Sequence, residues 1–141
     1  MLRTLILALI CVFTVASRLQ AASAVARGIS PNGKPYCSYW KDPKLTETEV
    51  RSRALQVGRV AQARNIKIVA STPKLGFGVI VMFQKADKTL DLTTVLAAPS
   101  WEIAVRDAKA RAKSLGGIAF KIVRGWNDGI KTNQPIVLQK L

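Results

Sequence analysis

Two carboxylates, Asp87 and Asp91, bracket the polar turn Lys85-Ala86-Asp87-Lys88 between two apolar runs. Carboxylates this close can divide acid and base work, but turn aspartates ordinarily bond their own backbone and stay solvated. Glu47 and Glu49 follow Thr46, where helix capping and the helix dipole account for both. Glu102 and Asp107 are further acids a carboxylate-dependent hydrolase could draw on, and such an enzyme needs two of them converging in a cleft. Histidine is absent from all 141 residues, which removes the commonest general base and metal ligand. Ser100 therefore has no histidine partner, and Gly76-Phe77-Gly78 lacks the third glycine and following helix of a nucleotide loop. We assign no catalytic residue, no cofactor and no metal, and expect a protein that is not an enzyme.

Binding chemistry is better represented. Tyr36, Tyr39 and Trp40 lie among Lys34, Lys41 and Lys44, a pattern that can stack bases or sugars and hold anions. Core packing of some of these rings is the competing reading. Arg51 and Arg59 lie on a helical segment that either offers an anion-binding surface or is simply solvated. Trp126, in Gly-Trp-Asn-Asp-Gly, reads as a loop aromatic that either contacts a partner or covers a sheet edge. The candidate partner-binding residues are thus Tyr36, Tyr39, Trp40, Arg51, Arg59 and Trp126. A net charge of +14 favours an acidic protein or an anionic polymer as partner.

The N-terminus shapes what these residues can do. Met1-Leu2-Arg3, the apolar run Leu5 to Val15 and the small residues Ala22-Ser23-Ala24 predict a signal peptide over residues 1–24. The apolar run is short for a membrane span, so no stable span is expected after cleavage. Cleavage after Ala24 places the protein in the periplasm or outside the cell, with Cys37 as its one remaining cysteine. That thiol is then buried, reactive, or paired in an intermolecular disulfide.

The elements that must position these side chains follow from periodicity. Val25 to Ile29 reads as a strand, Ser30-Pro31-Asn32-Gly33-Lys34 as a turn, and Tyr36 to Trp40 as the returning strand. Thr46 and Glu49 form a capping box for a helix with Val50, Ala54, Val57 and Ala61 on one face. Gly58 weakens that helix by propensity but permits close packing on a sheet. Ile66 to Ala70 is a strand, and Ser71 to Lys74 a linker. Phe77, Val79, Val81 and Phe83 alternate in a strand apolar on both faces, hence central. Leu90 to Leu96 returns from the hairpin. Ser100 caps a helix with Trp101, Ala104, Val105, Ala108, Ala112 and Leu115 on one stripe, ended by Gly116-Gly117. Ile118 to Val123 is a strand, Gly125 to Gly129 a loop, and Pro135 to Leu141 an edge strand.

The order GFGVIVMF, hairpin, SWEIAVRDAKARAKSLGG, IAFKIV resembles small secreted bacterial domains of unknown function that open with a YGAIA-like strand. In those, a hairpin precedes a helix of the AEAAALRxC kind and a CxVV strand. The resemblance covers Gly76 to Arg124, and more faintly Ala26 to Val69. Cysteines that those domains often carry after the helix are missing here, where Gly117 and Ala119 stand. What the resemblance implies is an exported, nonenzymatic module.

The expected fold is therefore α+β: two hairpin-helix-strand (ββαβ) units, residues 25–71 and 76–124, packed as one domain spanning 25–141. Internal duplication is one account of the repeated order; chance recurrence in a small α+β chain is the other. The expected function is binding, as an envelope accessory or an inhibitor- or immunity-like module. The alternatives are a nucleic-acid or glycan binder and, behind that, a carboxylate-dependent hydrolase.

Overall fold

A computed structural model of the chain describes residues 22–128. Two three-stranded antiparallel sheets and two helices make up an α+β fold. The order is β1 (Ala22–Ile29), β2 (Pro35–Asp42), α1 (Glu47–Val60), β3 (Arg64–Thr72), β4 (Phe77–Lys85), β5 (Leu90–Ala98), α2 (Trp101–Ser114) and β6 (Gly117–Asn127). One sheet has the order β2-β1-β3 and the other β5-β4-β6. Residues 1–21 of the signal peptide expected over 1–24, and the edge strand expected at Pro135 to Leu141, lie outside the described residues.

Each sheet has a strand with two apolar faces at its centre, and each face finds a different cover. Ala22, Ala24 and Ala26 of β1 pack against Val50 and Ala54 of α1. Val79 and Val81 of β4 pack with Ile122 against Ala104 and Ala108 of α2. The opposite faces meet each other: Val25, Ile80 and Trp126 are buried together, flanked by Cys37, Tyr39, Leu92 and Leu96. The result is four layers, α1, sheet, sheet, α2, with a core at each of the three contacts.

The helices are held as the sequence expects. Thr46 Oγ1 accepts from Glu49 N, and Glu49 Oε2 accepts from Thr46 N at 2.7 Å. Ser100 Oγ accepts from Ile103 N at 3.2 Å. Each helix has 14 residues and buries small side chains at every fourth position: Val50, Ala54, Gly58 in α1 and Ala104, Ala108, Ala112 in α2. Gly58 is needed for that approach, because a Cβ there would lie 2.7 Å from the Ile66 side chain.

Both third strands carry two extra residues opposite the central strand, one of them at matching places in the two sheets. Val25 and Ala26 face Ala70 and Ile68, leaving Val69 bulged. Ile80 and Val81 face Arg124 and Ile122, leaving Val123 bulged. A bulge bends its strand and turns side chains that would otherwise keep to one face.

Three boundaries differ from the sequence expectation. β1 already includes Ala22, Ser23 and Ala24: all three are buried, Ser23 and Ala24 are paired on both sides, and Ala22 pairs with Asp42 of β2. The boundary drawn at Ala24 therefore falls inside β1. β3 starts earlier, at Arg64, and runs through Ser71 to Thr72. β6 continues through Gly125 and Trp126 to Asn127, so the loop expected there is strand.

Candidate functional site

A cavity of about 650 Å³ opens at one end of the sandwich. Arg27 reaches it from the inner face of β1, Lys34 from the β1–β2 turn, and Lys67 from β3. Asn65 and Thr89 add polar groups, and Ile29, Pro35 and Leu90 apolar surface. Among the described residues no carboxylate lines it.

Local structure explains why these cations stand together. Ser30 N donates to the Lys34 carbonyl and Gly33 N to the Ser30 carbonyl, both at 2.9 Å. Gly33 holds φ +80°, which suits glycine. The Ser30 hydroxyl also donates to the Lys34 carbonyl at 2.9 Å and contacts the Asn32 side chain. The turn carrying Lys34 is thus closed on itself, and its side chain is left for the cavity. Arg27 and Lys67 are register partners across β1 and β3, so their backbones stand side by side.

Arg27 crosses between the layers. Its Nη2 pairs with Oδ1 of Asp91 on β5, and Lys85 Nζ lies 3.4 Å from the other carboxylate oxygen. Arg27 also lines a smaller inter-sheet cavity of about 220 Å³, with Cys37, Leu92 and Arg111 among its other walls. Arg111 Nη1 donates to the Thr94 carbonyl at 2.9 Å, anchoring α2 to β5.

The Cys37 thiol is free and half-buried on β2. Burial pushes its pKa up, with Arg124 pulling weakly the other way, so the unreactive thiol form is favoured. The Tyr36 hydroxyl is also pushed up, by burial first and then by the neighbouring Cys37.

The six candidate partner-binding residues separate. Tyr39 and Trp126 are brought together, their rings stacked at 4.9 Å and 16° inside the inter-sheet core. Trp126 is 3% exposed and lies on Gly78, where a Cβ would come within 2.2 Å of the indole. Its reading as a loop aromatic is corrected: it is a core residue of β6. Arg124 lies over the Tyr39 ring at 5.3 Å. Trp40 packs with the α1 core, under Arg53 at 6.0 Å. Tyr36 is half-buried on β2, on the face it shares with Trp40. Arg51 and Arg59 are exposed on α1, away from the cavity's lining.

The acids do not converge. Asp87 is exposed, and its Oδ1 accepts from the Thr89 N–H at 2.9 Å and its hydroxyl at 2.6 Å, which lowers its pKa. Glu49 is lowered by its capping bonds to Thr46. Asp107 pairs with Arg106 at 3.0 Å, and Glu102 is exposed. Among the described residues no group of three or more histidine, cysteine and acid side chains could hold a metal ion.

A different acid stands out. Both carboxylate oxygens of Asp128 are buried without a hydrogen bond, as are Ser23 Oγ and Trp126 Nε1. Burial pushes the Asp128 pKa up. Ser23, Lys41 and the Trp126 indole pull it back, but neither hydroxyl nor indole reaches hydrogen-bonding geometry.

Sequence reasoning did not single out Arg27 or Lys67 as binding residues. Each is one cation in a strand, and only the pairing of β1 with β3 puts them side by side. No protein-family model, curated protein or solved structure matches this chain. Among the described residues no helix is long and apolar enough to cross a membrane.

Proposed function

We propose that this chain is a small exported binding protein, without catalytic machinery, that takes an anionic partner at the Arg27 cleft. The observation that carries this reading is the convergence of Arg27, Lys34 and Lys67 on one cavity that no carboxylate among the described residues lines. Grouped cations with few counter-charges create a local field that attracts anions. The apolar run at the N-terminus supports export, and the positions of Asp87, Asp91, Glu102 and Asp107 support binding over acid–base hydrolysis. An accessory or inhibitor-like role in the bacterial envelope fits these properties.

A nucleic-acid or glycan binder acting through Trp126 or the Tyr36–Trp40 run is the weaker reading. Base stacking needs an exposed ring, whereas Trp126 and Tyr39 stack on each other and Trp40 packs beneath α1.

The repeated order also supports two ββαβ units descended from one. Sheet orders β2-β1-β3 and β5-β4-β6 correspond, as do the fourth-residue stripes of the two helices. Val69 and Val123 bulge at matching places in Ile66-Lys67-Ile68-Val69 and Phe120-Lys121-Ile122-Val123. A duplication predicts that the halves are more alike in distant relatives that diverged less; halves no more alike there than here would count against it.

The binding reading is tested by fluorescence anisotropy with labelled polyglutamate, a heparin fragment and a single-stranded oligonucleotide. At least one should bind at low salt and weaken as salt rises. Replacing Arg27, Lys34 and Lys67 together by glutamine should remove that binding while circular dichroism stays unchanged. Undiminished binding by the triple variant would place the site elsewhere, and no binding to any probe would end the reading.

A further inference from the structure

We propose that Asp91 holds Arg27 as an internal stand-in for the carboxylate of an acidic peptide, and that such a peptide binds by taking Arg27 over. The proposal rests on the cleft reading above and names the partner class and its regulation.

Asp91 belongs to the second sheet and Arg27 to the first, so their pair spans the two layers at the edge of the cavity. The pair is only partly shielded, with side chains 39% and 19% exposed for Arg27 and Asp91. The guanidinium side of the pair is open to solvent, where screening lowers its worth and makes it exchangeable. Asp91 also keeps other partners: Lys85 Nζ at 3.4 Å, and the Leu92 N–H, which its Oδ1 accepts at 2.8 Å. Releasing Arg27 therefore leaves neither a bare carboxylate nor a bare guanidinium, because the incoming carboxylate replaces Asp91 in the guanidinium fork.

The rest of the lining selects a peptide over a nucleic acid. Lys34 and Lys67 supply further cations, while Ile29 and Leu90, each 38% exposed, offer apolar surface to side chains. Among the described residues no aromatic ring lines the cavity, so bases find no stacking platform there. Alternating carboxylate and aliphatic side chains match both features.

The test is anisotropy with a labelled peptide of alternating glutamate and leucine, and a labelled single-stranded oligonucleotide as comparator. The proteins are the wild type, Asp91→Asn, Arg27→Gln, Lys67→Gln and the double variants Arg27→Gln/Asp91→Asn and Lys67→Gln/Asp91→Asn, each checked by circular dichroism. Asp91→Asn should bind the peptide roughly three- to fivefold tighter than wild type. Arg27→Gln should bind more weakly, and in its background Asp91→Asn should change nothing. Lys67→Gln should weaken binding yet leave the Asp91→Asn gain intact when combined with it. No gain in Asp91→Asn, or an equal gain without Arg27, overturns the proposal and leaves the cleft reading standing. Tighter binding of the oligonucleotide with no peptide binding overturns the peptide class alone. Failure of every protein to bind either probe overturns the cleft reading and this proposal together.

Discussion

Asp128 is the residue whose chemistry is least comfortable in this fold. Among the described residues its enclosed carboxylate has no hydrogen-bond partner, and neither have the Ser23 hydroxyl and Trp126 indole N–H beside it. Burial raises its pKa above the unfolded value of about 3.9. A raised folded-state pKa means its favourable contribution is complete below about pH 4 and is lost as pH rises through the folded value. Asp128→Asn should therefore melt at a higher temperature than wild type at neutral pH, with the gap closing as pH falls toward about 4. Glu49 and Asp87 work in the opposite sense, since their lowered values give stability that is lost as pH falls. Comparing variant with wild type cancels both; a gap that widens on acidification would refute the assignment to Asp128. Cys37 gives a second residue-scale prediction. With its pKa pushed up by burial, the folded protein should react with iodoacetamide more slowly at neutral pH than the urea-unfolded chain. Equal rates would mean that the thiol is as open and as acidic as in the unfolded chain, and would favour the intermolecular disulfide over burial.

At the scale of elements, most of the chain was legible, and the misses share a cause. Thr46, Glu49 and Ser100 announced both helices through capping chemistry that depends only on local sequence. Alternation in Phe77 to Phe83 announced a central strand for the same reason. Gly125-Trp126 was misread because glycine marks loops and also marks close approach. Here Gly78 makes room for Trp126, and Gly125 for Trp101, whose ring would lie 2.3 Å from a Cβ there. The partner that needs the space is distant in sequence, so a linear reading cannot see it. The cleft was hidden likewise: Arg27 and Lys67 meet only through strand pairing. β1 carries the element-scale prediction. Ala22 and Ala24 belong to the α1-facing core and Ser23 pairs with Lys41 and Thr72. A leader cut after Ala24 would strip three residues from the central strand of its sheet. Processing should instead fall before Ala22, and intact mass of the purified mature protein should show Ala22 at or within its N-terminus. A mature chain beginning at Val25 would overturn that.

Across the whole molecule, neither sheet is complete alone. Each helix covers one face, and the other face is covered by the partner sheet, with Val25, Ile80 and Trp126 at its centre. A half of this size buries too little apolar surface to stand by itself. The two halves should then unfold together, with far-ultraviolet circular dichroism and tryptophan fluorescence giving coincident thermal transitions. Trp126 is the sharpest probe of that coupling, because its ring touches Gly78 of its own sheet and stacks on Tyr39 of the other. Trp126→Ala should cost about 3–5 kcal/mol, the usual loss for emptying a buried aromatic site. It should also lower the melting temperature of both halves at once. Secondary-structure loss that splits into two steps in the variant, with one half surviving, would show that the sheets are independently stable and merely in contact.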